Sequence, residues 1–159
     1  MYEVNFIDNS LGYTRSSLTK EYEGDEYKVI YLNSELLRKA CIAGGTRWPQ
    51  PFNEWSKVEI LGIESKPAFF IRSFNPDNDD KDTITWMPSV LSAEMVRLKR
   101  TFKEWVLNQE PQTQLRVIFK NGRHRAEFFR YFGAEYIPIL TMKDQIETLS
   151  IIGNGIVKN

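Results

Sequence analysis

Cysteine is almost missing from this sequence. Cys41 stands alone in 159 residues, which excludes an internal disulfide framework and any cluster of cysteine metal ligands, and fits a reducing cytoplasm. Histidine is equally scarce: with His124 alone and no nucleophile paired to it, no Ser/His/Asp arrangement can be argued. A net charge is missing too, since 21 acidic residues balance 21 basic ones. No global field therefore draws the chain to nucleic acid or an acidic membrane face, and any anion binding has to be local. No stretch approaches the ~20 apolar residues of a membrane span, and the opening MYEVNFIDNSLGYTRSSLTKEYEGDEY shows no basic segment followed by an apolar run. The expectation is a soluble, unprocessed, cytoplasmic chain.

What remains is an ordinary globular composition, 42% hydrophobic and 26% charged, long enough for one domain with its own core. The sequence predicts a single domain over residues 1–159. Apolar runs predict strands at YEVNFI, YKVIYL, KVEILGI, PAFFIRSF, TITWM, LRVIF and YIPIL, with ESKP as a hairpin connection. A helix is predicted over ELLRKACI, capped by Asn33 or Ser34 and stopped at Gly44 and Gly45. A longer one is predicted through SAEMVRLKRTFKEWVLNQ, with Met95, Leu98, Phe102 and Trp105 as a core-facing stripe and Pro111 as its stop. A third begins near Arg123, buries Ala126, Phe129 and Phe132, and ends at Gly133. Strand, glycine, short helix, glycine, strand implies a crossover whose two strands lie parallel in one sheet. The mixed order elsewhere points to an α+β fold.

The segment RVIFKNGRHRAEFFRYFGAEYIPIL puts Lys120, Arg123, His124 and Arg125 where a strand hands over to a helix. Cations are unfavourable at a helix N-terminus, which the backbone dipole already makes positive, so an anion is expected there. Gly122 permits a close approach to the main chain, and the first helical turn leaves up to four N–H groups without intrahelical acceptors. Arg123 and Arg125 offer forked hydrogen bonds and Lys120 a point charge, which together suit phosphate. The bland alternative is surface arginines paired with carboxylates and a structural histidine.

NGRHRA between strand and helix, followed by GAEYIPIL, resembles the GxxR box of the ParB/sulfiredoxin-like superfamily. Within it the sequence is most similar to the plasmid fertility inhibition factor family, over Leu115 to Leu140 and faintly over MPSVL and VIYLNSELL. The resemblance implies a ParB/sulfiredoxin-like mixed sheet and binding of ATP or another NTP, with Mg2+, through Gly122, Arg123, His124 and Arg125, with Asn121 shaping the turn. It also implies ATPase or DNA-cleaving activity and interference with conjugative DNA or effector transfer, so that DNA and a protein of a secretion or conjugation system are candidate partners. Two departures limit it. Arg123 stands where sulfiredoxins have their cysteine, and the 19 residues after Leu140 are too few for the DNA-reading domain of partition proteins.

Hydrolysis would need charge neutralisation, for which Arg123 and Arg125 are candidates, and a base or metal ligand, for which Glu127 is the one acidic residue of the same helix. Its plainer role is as a partner of Arg130 at i+3. Asp77, Asp79, Asp80 and Asp82 in DNDDKD offer hard oxygen ligands, but the run lacks the EF-hand glycine and has Pro88 in place of the bidentate glutamate, so a solvated loop is preferred. AGGTRW lacks the P-loop lysine, although Arg47 can reach a ligand from it. The four tryptophans, Trp48, Trp55, Trp86 and Trp105, suit a core or interface better than base stacking, given the neutral charge. Two function classes stay open: a nucleotide-dependent factor, or a non-catalytic inhibitor or immunity-like protein acting by protein–protein contact.

Overall fold

The computed structural model describes residues 1–55, 59–60, 64–78 and 85–158. Its strands are β1 (Tyr2–Asn5), β2 (Arg15–Leu18), β3 (Tyr27–Asn33), β4 (Glu59–Ile60), β5 (Glu64–Ser65), β6 (Ser89–Arg97), β7 (Thr113–Asn121), β8 (Tyr136–Met142) and β9 (Gly153–Lys158). Its helices are α1 (Ser34–Ala43), α2 (Lys66–Ser73), α3 (Phe102–Val106), α4 (Arg123–Tyr131) and α5 (Ile146–Leu149). Five strands form a mixed sheet in the order β7-β6-β8-β3-β9, and β1-β2 and β4-β5 are separate two-stranded pairs. The fold is α+β, as the element order predicts.

β8 and β3 form the sheet's middle because their sequences tolerate burial on both faces. Ile137, Ile139 and Leu140 of β8 and Val29, Ile30 and Leu32 of β3 are essentially inaccessible, paired antiparallel from Tyr27↔Met142 to Asn33↔Tyr136. Pro138 has no N–H to donate, yet it sits in this inner strand. It is tolerated because β6 joins β8 only at Ser89↔Leu140, where Leu140 N donates to Pro88 O at 2.9 Å. Pro138, two residues earlier on the same edge, faces a position where β6 has not yet begun.

The third predicted helix is α4, and it does bury Ala126, Phe129 and Phe132, with Gly133 at φ 80 as its stop. Phe128 is its main core contact: its ring meets those of Phe6, Phe52, Phe70, Phe74, Phe129 and Phe132 at centroid distances of 5.0 to 6.2 Å. α1 matches its prediction, with the Asn33 side chain accepting from Leu36 N at 3.1 Å.

Three expectations fail. The crossover strands β7 and β8 are not parallel: β6 lies between them, antiparallel to β7 and parallel to β8, so β7 and β8 run antiparallel. PAFFIRSF is not a strand but most of α2, because Ser65 caps it, accepting from Ala68 N, and Pro67 stands in its first turn, where its missing N–H costs no intrahelical bond. ESKP is thus a helix start. Of the predicted helix over 92–109, residues 92–97 belong to β6, whose ladder with β7 outweighs local helical periodicity; only Phe102–Val106 is helical. Its supposed core stripe is turned outward, with Phe102 80%, Trp105 67% and Met95 44% exposed. KVEILGI falls largely outside the described residues, with Glu59 and Ile60 in β4; of TITWM, Thr83 and Ile84 lie outside them, and Thr85–Met87 form no strand but an isolated bridge from Trp86 to Thr19.

α1 closes against β7 through Gly44, where a Cβ would stand 2.8 Å from Val117 O and 3.3 Å from Val117 N. Backbone on both sides leaves little to give. Gly44→Ala is expected to cost about 1–3 kcal/mol by overpacking, read as a lowered urea midpoint at unchanged slope.

Candidate anion-binding site

Gly122 is the N-cap of α4, with φ 84 and ψ 16, a left-handed conformation that L side chains rarely adopt. Space also demands glycine there, since a Cβ would lie 2.7 Å from Pro88 Cα. The turn is held by Asn121, whose Oδ1 accepts from Gly122 N at 2.7 Å. No side chain among the described residues caps α4, and Ala126 N donates to Gly122 O at 2.9 Å. The N–H groups of residues 123 to 125 thus precede the helical ladder.

The basic residues of the box leave this turn in three directions. Arg123 Nη1 donates to Arg47 O at 2.7 Å, which brings Arg47, Arg123 and His124 together around a cleft of about 260 Å³ with Trp48, Pro49 and Gln50. Arg125 is buried; its Nη1 donates to Trp86 O at 2.6 Å, and burial lowers its pKa while nearby Glu21 acts the other way. It borders a second cleft of about 300 Å³, with Asn121, Gly122 and His124 and the rings of Phe69, Phe70, Phe74 and Trp86. Lys120 joins neither cleft: its Nζ lies 3.8 Å from the centre of the Tyr22 ring. Arg123 and Arg125 are each held by a backbone carbonyl, and Glu21 acts on Arg125 through its charge.

His124 borders both clefts. Its ring meets Trp55 edge-on at 5.3 Å. Its pKa is pushed down to about 4 by burial first, then by Lys66 and Arg123, so it is neutral at pH 7. Lys66 itself lies 4.8 Å from the Trp55 ring centre. Cys41 is no nucleophile here, as burial pushes its thiol up to about 11.

Glu127 does not face the cleft. It is fully buried, its Oε2 accepting from Trp48 Nε1 at 2.7 Å and Arg130 Nε at 2.7 Å, its Oε1 from Arg130 Nη2 at 2.9 Å. Arg130 also pairs with Glu35. Both oxygens are committed, which suits a positioning role: Glu127 fixes Trp48 and so the loop that carries Arg47. Tryptophan one residue after Arg47 is the available signal, but the separation of 79 positions between Trp48 and Glu127 hides the pairing from sequence reasoning. Glu21 was missed as well; its oxygens lie 3.4 Å from Asn121 Nδ2. Among the described residues no group of three or more His, Cys, Asp or Glu stands together; Asp79, Asp80 and Asp82 lie outside them. No helix among the described residues is long and apolar enough to cross a membrane.

No protein-family model matches the chain, and no curated protein does. Its α+β fold is shared with a solved structure: the crystal structure of the Oncogenic Suppression Activity Protein, a plasmid fertility inhibition factor, as a gold(I) cyanide derivative. The TM-score is 0.62 and the identity 13%, covering 97% of this chain and 69% of that one. At this identity the likeness is one of fold.

Two outcomes are expected. Glu127→Ala leaves Trp48 and Arg130 without their buried acceptor and should lower stability by about 3 kcal/mol or more, read by urea denaturation. For His124, the folded-state pKa lies below the ordinary 6.5, so the unfolded chain takes the proton more readily. Stability present above about pH 6.5 should fall as pH drops toward about 4; an NMR titration of the ring and denaturation at stepped pH check this, and His124→Gln should flatten that slope.

Proposed function

We propose that the chain binds a phosphate-bearing ligand, foremost a nucleoside triphosphate with its Mg2+, in the cleft of Arg47, Arg123 and His124. The observation that carries this reading is the pairing of Arg47 and Arg123, 76 residues apart, at the start of a nine-residue helix with no side-chain cap, with no carboxylate among the described residues that line the cleft. Guanidinium groups and leading N–H donors then meet the same anion. Arg125 and Asn121 hold the turn, and Lys120 supplies charge from its flank. Mg2+ would arrive on the phosphates, as it commonly does.

The NGRHR box and the fold shared with a plasmid fertility inhibition factor support placing the chain in the ParB/sulfiredoxin-like superfamily, with a role in limiting conjugative DNA or effector transfer. For ATP hydrolysis or DNA cleavage, Arg123 supplies charge neutralisation; Glu127 is already occupied by Trp48 and Arg130, so the base has to come from elsewhere. The competing role, a non-catalytic inhibitor on the same fold, makes no use of the cleft.

The test is a melting-shift panel of ATP, CTP and GTP with Mg2+. A ligand bound only by the folded state, at 100 times its dissociation constant, adds about 2.7 kcal/mol. Arg123→Ala should abolish that gain while leaving the unliganded melting point almost unchanged. Absence of any shift in the wild type favours the inhibitor reading.

A further inference from the structure

The ribbon formed by β6 and β7 ends in a feature that packing does not explain. α3 has no buried residue, although a full capping box defines it: Thr101 Oγ1 accepts from Glu104 N, and Glu104 Oε2 accepts from Thr101 N at 2.7 Å. The helix therefore presents, rather than buries, its apolar side chains. Phe102 and Trp105 stack at 6.3 Å, and Val106 and Leu107 beside them are 58% and 54% exposed. A contiguous apolar patch of this kind marks a contact surface. Around it stand Arg97, Lys99, Arg100 and Lys103, all exposed. The acids close by are engaged, Glu104 in the capping box and Glu110 with Arg100 at 3.9 Å, so the collar is cationic.

The opposite character appears at the other end of the sheet. A groove of about 430 Å³ is bordered by Glu3, Ile7, Tyr31, Glu135 and Tyr136, with no basic side chain among the described residues that line it. Glu3, Asp8 and Glu135 are exposed, Asp8 following the groove's Ile7 in the chain with its Oδ1 accepting from Ser10 N at 2.8 Å, and Ile7 is 82% exposed. The two features cannot meet within one molecule. Tyr136 lies four residues before the Ser89↔Leu140 pairing point and Arg97 eight beyond it in the same direction, roughly 40 Å apart at the usual strand rise.

We infer that the α3 tip of one copy docks in the Glu3/Glu135 groove of a second copy, joining molecules head to tail. Phe102 and Trp105 enter between Ile7, Tyr31 and Tyr136, and the cationic collar meets Glu3, Asp8 and Glu135. Charge complementarity selects this occupant: the chain as a whole is neutral, yet its two ends carry opposite signs. The contact is heterologous, each copy using a different surface, and small enough to be reversible and weakened by salt.

Sedimentation velocity over a concentration series tests it. The wild type should associate as concentration rises, and high salt should reverse this. A tip variant, Phe102→Ser with Trp105→Ser, and a groove variant, Glu3→Lys with Glu135→Lys, should each lower the association constant at least about tenfold, as expected for losing a central aromatic anchor or its charge partners. All four positions are exposed or at a rim, and unchanged melting points would show that the variants fold. Mixing the two variants should restore one junction, an intact tip with an intact groove, and give a dimer without longer species. A wild type that stays monomeric at low salt, association that survives both variants, or a mixture that stays monomeric would each overturn the inference.

Discussion

The buried carboxylate of Glu127 is the constraint on which the candidate site depends. A charge without water must be surrounded by donors, and Glu127 obtains them from two places far apart in sequence, the Trp48 indole and the Arg130 guanidinium. Arg130 passes the link on to Glu35 at the start of α1. One side chain thereby ties α4 to both ends of the α1 segment. Arg47 lies beside Arg123 because Trp48, its neighbour, is held by Glu127. The site's geometry is thus set from behind by a residue that does not touch the cleft.

The basic box behaves as separate instruments rather than as one patch. Charge repulsion and burial divide it: Arg125 is drawn in beneath Trp86, Lys120 lies across Tyr22, and Arg123 alone joins the 44–50 loop. His124, kept neutral by its two cationic neighbours and its burial, forms the wall between a polar cleft and an aromatic one. An anion beside it would offset those cations and favour its protonated form, so its titration reports on occupancy.

Local chemistry was legible wherever it was decided locally. Gly122 and Gly133 bound α4, Asn33 caps α1, and the apolar runs of β3 and β8 sit at the sheet's middle. The segment 92–109 misleads because its residues have good helix propensity and a 3.6 period, while residues 92–97 are made a strand by a ladder with residues 113–118. That is a tertiary override that no local window contains. PAFFIRSF misleads in the opposite sense: an aromatic run suggests a strand, and the decisive Ser65–Pro67 start has the composition of a turn. In the site, Gly122, Arg123 and His124 were readable from the strand–glycine–helix order, and Arg47 from its own loop. The dispersal of Lys120 and the burial of Glu127 were not, since both depend on partners roughly 80 to 100 residues away, Tyr22 and Trp48.

β6 touches β8 at a single register position, and a few residues later its edge is closed by a side chain, Gln145 Oε1 accepting from Ala93 N at 2.7 Å. Beyond the Met95↔Leu115 pair, the last to give the core a buried side chain, the ribbon is a cantilever that carries α3 at its far end. Its outer stretch, from Val96 and Gln114 outward, pairs with no third strand among the described residues, so the core stays sealed behind Leu115 while the beam takes up the load on its tip.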